Sequence, residues 1–121
     1  MSQNRNIIRN GLQELSNASE SGPDCWVTFE ANGKEHWLQC TLTQIRMDWP
    51  FSSPPAESEN LKACFGSDGP VQIHGWSVDT SVAFTPAVKD VDALICGIDS
   101  TFQDLYGLGP DYALTYKVEN T

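Results

Sequence analysis

The stretch from Thr85 to Glu119 limits the possible folds more than any other, because it reads as an amphipathic helix, a glycine stop and an alternating strand. At about 100° per residue, Val88, Val91, Ile95, Ile98, Phe102 and Leu105 fall within a sector about 100° wide, the width of a core-facing stripe. Thr85 is placed to cap this helix, and Pro86 suits its first turn, where a missing N–H has no intrahelical partner to lose. Gly107 reads as the left-handed stop, with Leu108 positioned for the hydrophobic contact that accompanies it. Tyr112, Leu114, Tyr116 and Val118 then alternate with Ala113, Thr115, Lys117 and Glu119, the pattern of a half-buried strand. On the helix back, Ala93, Gly97 and Ser100 form a small-residue ridge that another backbone could approach, so self-association there is one expectation. Asp90, Asp92, Asp99 and Asp104 read as a solvated face, the first two also suiting the helix dipole.

Ahead of this stretch, Ile8, Leu12 and Leu15 recur at helical spacing, flanked by Ile7 and Ala18 and weakened by Gly11. Cys25 to Ala31 and Lys34 to Leu42 read as a hairpin around Asn32-Gly33, the pair that suits a type I′ turn because both positions need φ > 0. A two-residue loop sets Ala31 against Lys34, Phe29 against His36, Val27 against Leu38 and Cys25 against Cys40. Cys25, Val27, Phe29, Leu38, Cys40 and Leu42 then share the core face. Trp26, Thr28, Glu30, Glu35, Trp37 and Gln39 share the other, with Trp26 and Trp37 as diagonal neighbours. The facing cysteines fall within disulfide range, whereas a cytosolic setting keeps thiols reduced.

From Ile45 the periodicity fades, and Met47-Asp48-Trp49-Pro50-Phe51 reads as a strand end or loop with two exposed aromatics. Ala56 to Phe65 reads as a short helix stopped by Gly66, and Val71 to Phe84 as a broken strand with a bulge at Gly75. The order predicts one α+β domain over residues 1–121. It is expected to be a two-layer sandwich, a mainly antiparallel sheet with N-terminal and C-terminal helices packed on one face.

Sixteen acidic residues against seven Lys and Arg give a formal charge of −9. The excess is concentrated after Met47, where eleven acids face three bases. Such a field repels phosphate backbones, which argues against a nucleic-acid partner and makes a basic polypeptide the more natural one. No apolar run approaches the roughly 18 residues of a membrane span, and the polar start at Met1 to Asn10 is no signal peptide, so a cytoplasmic setting is expected. Cys25, Cys40, Cys64 and Cys96 form no CxxC pair and read as small reduced hydrophobes, with neither a metal site nor a cofactor expected. No phosphate loop, HExxH or GxSxG pattern occurs, and no catalytic set can be named. His36, near the hairpin turn on its apolar face, and His74, ahead of the bulge, are general bases in type. A pair such as His74 with Cys64 keeps a small thiol or histidine hydrolase in view as an alternative.

The opening helix, the Trp26-Val27 strand of the hairpin, Trp49-Pro50-Phe51 followed by prolines, and the long helix ending in Asp104-Leu105-Tyr106-Gly107 before a Tyr-rich strand together resemble the type III secretion chaperone-like superfamily. The resemblance is in particular to its small bacterial TY-chaperone-type domains. The resemblance implies a non-enzymatic chaperone-like or adaptor protein that binds a polypeptide, commonly as a homodimer. Trp26, Trp37, Trp49 and Phe51 are the residues expected at the partner surface, since tryptophan is enriched at binding hot spots. The acidic charge motivates one further alternative, an immunity-type protein that neutralises a basic toxin.

Overall fold

Alternating sequence becomes a sheet only once partners fix its register, and here they build a single one. The computed structural model describes residues 3–20, 25–31, 36–77 and 80–120. Strands β1 (Cys25–Ala31), β2 (His36–Cys40), β3 (Ile45–Trp49), β4 (Gln72–Ser77), β5 (Thr80–Thr85) and β6 (Leu114–Asn120) lie in the order β4-β5-β3-β2-β1-β6. Every neighbouring pair is antiparallel. Helices α1 (Gln3–Ser19), α2 (Glu59–Phe65) and α3 (Val91–Ser100) form the second layer, so the expected α+β two-layer architecture is the one observed.

Side chains alternate across a strand, so register decides which layer each one joins. Val27, Phe29, Leu38, Cys40, Ile45, Met47, Trp49, Val82 and Phe84 share the helix-side face and are buried. From α1, Ile8 and Leu15 reach this core, and Gly11 lets the helix approach closely: a Cβ there would come within 2.7 Å of the Phe29 ring. Phe65 of α2 packs 5.2 Å from the ring of Phe84, and α3, which contacts both other helices, buries Ile95 and Ile98.

The hairpin keeps its predicted faces but not its register. Ala31 pairs with His36, Phe29 with Leu38 and Val27 with Cys40, two residues away from the two-residue-loop alignment. The Asn32-Gly33 turn itself, with Lys34 and Glu35, lies outside the described residues. Cys25 consequently faces Asn120, and Cys40 pairs with Val27 instead. Leu42, expected in the core, is 65% exposed because β2 ends at Cys40, where the Thr41 hydroxyl accepts the N–H groups of Thr43 and Gln44 and turns the chain.

The long helix starts later than its apolar stripe suggests. Thr85 closes β5 opposite Gln72, and Asp90 is the cap, its carboxylate accepting the Ala93 N–H at 2.8 Å. Val88 precedes the helix, and Val91 is half exposed, which leaves Ile95, Ile98 and Phe102 as the buried stripe. After Ser100 the helix widens into a π turn, Thr101–Leu105, before Gly107 ends it at φ 71° as expected. The Leu108 N–H closes this end on the Phe102 carbonyl at 3.1 Å. Within the small-residue ridge Gly97 is buried, while Ala93 and Ser100 are half-buried. A Cβ on Gly97 would overlap the Cys64 carbonyl oxygen of α2, so α2 is the backbone this glycine admits.

Asp99, expected in water, is fully buried. Its carboxylate accepts Arg5 Nε at 2.9 Å and the Tyr112 hydroxyl at 2.8 Å, while Asn4 Nδ2 donates to the Tyr112 carbonyl at 2.7 Å. Burial pushes the Asp99 carboxyl up, but hydrogen bonds from Arg5, Gln103 and Tyr112 outweigh it and hold the group below the usual carboxylate range. A lowered folded pKa stabilises above the unfolded value, and that stability is lost as pH falls through the folded one. Asp99→Asn should therefore cost about 2–3 kcal/mol near neutral pH, discounted because Arg5 is half exposed, and should flatten the acid limb of the stability curve. Urea midpoints between pH 7 and pH 3 check this. Parallel wild-type and variant curves would remove Asp99 from the acid response.

Candidate functional site

With the helices on one side, no second layer covers the opposite side of the sheet among the described residues. A single register row crosses that side, running Lys117, Thr28, Gln39, Arg46, Ala83 and Gly75 through all six strands. Its side chains are short or flexible, so the row forms a shallow floor. Trp26 stands on one side of it, opposite Glu119, and Trp37 on the other, opposite Glu30. The two indoles are thus not diagonal neighbours, as the two-residue-loop register implied, but flank the floor. Both are half-buried.

Between Trp26 and Arg46 the floor deepens into a groove of about 350 Å³, lined by Trp26, Gln39, Thr41, Gln44, Arg46 and Ala83. Thr28, beside this groove and opposite Gln39, is only 6% exposed, and its hydroxyl has no hydrogen-bond partner. A buried hydroxyl without a partner is costly, and such exceptions often mark places where function overrides stability.

Of the four aromatic residues expected at a partner surface, the structure brings Trp26 and Trp37 to this face and takes the other two away. Trp49 is 1% exposed in the core, with Nε1 donating to the Ser53 carbonyl at 3.0 Å and its ring edge-on to Phe51 at 4.8 Å. Pro50 ends β3 as its missing N–H predicts, but the ring ahead of it turns inward because the Ser53 carbonyl satisfies its polar end. Phe51 is half-buried against the same core.

At the far end of β2 and β3 a second group of side chains gathers, which sequence did not reveal. Tyr106, delivered by the π turn, donates its hydroxyl to the Asp48 carbonyl and comes within 3.5 Å of the Trp37 carbonyl, at the end of the ladder between these strands. The His36 ring stacks on Tyr106, centroids 4.4 Å apart, and His36 Nδ1 lies 3.0 Å from Asp48 Oδ2. Burial pushes the Tyr106 phenol well above its usual range, so the group stays a neutral donor. The π register matters here, since π turns re-aim the side chains that follow them.

Neither the family models, nor the curated proteins, nor the solved structures include a match to this chain.

The thiol–imidazole pairs weighed from sequence are not among the contacts of the described residues. His36 engages Tyr106 and Asp48, His74 engages the Thr85 hydroxyl at 2.6 Å, and Cys64 faces Thr101. Burial pushes the Cys40 thiol up to about 12 and raises Cys64 as well, which disfavours the thiolate that nucleophilic chemistry requires. Among the described residues no group of three or more His, Cys, Asp or Glu is gathered to hold a metal ion, and no helix is long and apolar enough to cross a membrane.

Proposed function

We propose that this is a non-enzymatic, chaperone-like or adaptor protein that binds a polypeptide across the uncovered face of its sheet. One observation carries the reading. Two half-buried tryptophans flank a shallow, mainly uncharged row on a face without a second layer among the described residues, an arrangement suited to receiving a packed element. The resemblance to type III secretion chaperone-like domains supports it, as does the location of the catalytic residue types in structural contacts. The formal charge of −9 favours a partner with a basic surface around the contact, and scattered cysteines without a CxxC pair suit a cytoplasmic setting. A second copy of the chain is the competing occupant of the same face.

Replacing Trp26 and Trp37 together by serine tests this. The double variant should lose a stoichiometric polypeptide captured by the wild type while its melting temperature stays within a few degrees. Light scattering of both proteins separates a foreign partner from a second copy. A sharp fall in melting temperature would assign the pair to the protein's own packing and remove the hypothesis.

A further inference from the structure

Within the face proposed for polypeptide binding, and resting on that reading, the chemistry of one groove specifies what the partner presents. We propose that the groove beside Arg46 seats an aspartate or glutamate side chain of the bound polypeptide, with the Arg46 guanidinium as counter-charge and Trp26 as its apolar wall.

The argument begins with an imbalance of charge. Acids outnumber Lys and Arg by sixteen to seven, so acidic partners for a basic side chain are plentiful on this protein. Arg5 pairs with Asp99, Arg9 with Asp92, Lys62 with Glu59 and Lys117 with Glu119. Lys89, in the loop ahead of α3, and Arg46 enter no ion pair among the described residues, and of the two Arg46 sits in the middle of the sheet. The obvious intramolecular partner is Asp48, two residues along β3 and so at a register position on the same face. Its carboxylate instead lies 3.0 Å from His36 Nδ1, tied into the Tyr106 cluster. Glu119, on the row beyond Trp26, is held by Lys117 at 3.2 Å. The two acids best placed to neutralise the groove are thus engaged elsewhere.

What surrounds Arg46 is a set of donors over an apolar floor. Gln39, Gln44, Ala83 and Trp26 line the groove with Arg46, and Thr28, whose buried hydroxyl has no hydrogen-bond partner, sits opposite Gln39. A carboxylate can accept from a guanidinium fork and an amide together, and charge-assisted bonds of this kind are roughly twice as strong as neutral ones. The indole beside them excludes water from the pair, which raises its worth above that of an open surface ion pair. The net negative charge of the protein does not oppose this, because fields from distant charges are screened over about 8–10 Å at physiological salt.

Two pentapeptide probes test the inference, acetyl-Gly-Phe-Glu-Phe-Gly-amide and its Glu→Gln counterpart, titrated into the ¹⁵N-labelled full chain. The Glu peptide should move the Trp26 indole N–H and the Arg46 Nε–H signals and bind about tenfold tighter than the Gln peptide, the usual worth of one charge-assisted hydrogen bond. Arg46→Gln, a change at an exposed site, should erase that preference, and Arg46→Lys should restore part of it. Sodium acetate at equal concentration should leave both signals in place. Equal binding of both peptides at the groove would overturn the carboxylate assignment while leaving the face as a polypeptide site. Shifts confined to another surface, or none at millimolar peptide, would overturn both. Acetate acting as well as the Glu peptide would show a small-anion site and overturn the polypeptide assignment.

Discussion

Replacing Phe102 by alanine is expected to lower the unfolding free energy by about 3–5 kcal/mol, the cost of removing a fully buried aromatic ring. Phe102 is 0% exposed and lies in the π turn, stacked on Tyr112 at 5.3 Å and edge-on to Tyr106 at 5.6 Å. The cavity would therefore open between the two tyrosines that tie this turn to the sheet and to Asp99. Collapse is limited, since both phenols are held by hydrogen bonds that movement would break. A urea midpoint close to wild type would contradict the placement of this ring at the centre of the helical layer.

Gly97→Val should destabilise by a similar amount, about 3 kcal/mol or more, although valine ordinarily favours a helix over glycine. The Cβ would overlap the Cys64 backbone oxygen and come within 3.0 Å of the Phe65 ring, so α2 must move away from α3. Backbone cannot yield by changing rotamer, and the cost falls on the packing between these helices. Gly97→Ala, with the same Cβ, should also destabilise, reversing the gain of up to about 1 kcal/mol that alanine gives in an exposed helix. Chemical denaturation of both variants checks the sign. A stabilised alanine variant would show that α2 does not approach this closely.

Much of the helical layer was legible because its signals are local. Ile95, Ile98 and Phe102 repeat at helical spacing, Gly107 supplies the positive φ its position needs, and α1 follows the recurrence of Ile8 and Leu15. The bulge at Gly75 was legible too, and the pairing slips there, Ile73 facing Phe84 and Gly75 facing Ala83. Parity also survived in the hairpin: a shift of two residues leaves every side chain on its face, which is why Val27, Phe29 and Leu38 stayed in the core.

Features set by distant partners were not legible. Asp99 looks like one more helix-surface acid until Arg5, ninety-four positions away, and Tyr112 are seen to meet it. Thr85 and Asp90 are both acceptable caps by composition, and only the pairing of Thr85 with Gln72 decides between them. The candidate face shows the same division. Alternation placed Trp26 and Trp37 together on one side, but the row between them is assembled from all six strands, and Arg46 carries no local mark. The count of acids against bases held a hint, since a base without a partner in such a chain calls for an explanation.

The most direct measurement of the central proposal is hydroxyl-radical footprinting of the protein alone and with its captured polypeptide, read at each tryptophan by mass spectrometry. The four tryptophans occupy distinct places: Trp26 and Trp37 on the uncovered face, Trp49 inside the core, and Trp76, 37% exposed, on edge strand β4. Binding across the face should lower oxidation of Trp26 and Trp37 several-fold, leave Trp76 unchanged and find Trp49 unreactive in both states. Protection of Trp76 with Trp26 and Trp37 as reactive as before would place the partner on the sheet edge and contradict the account.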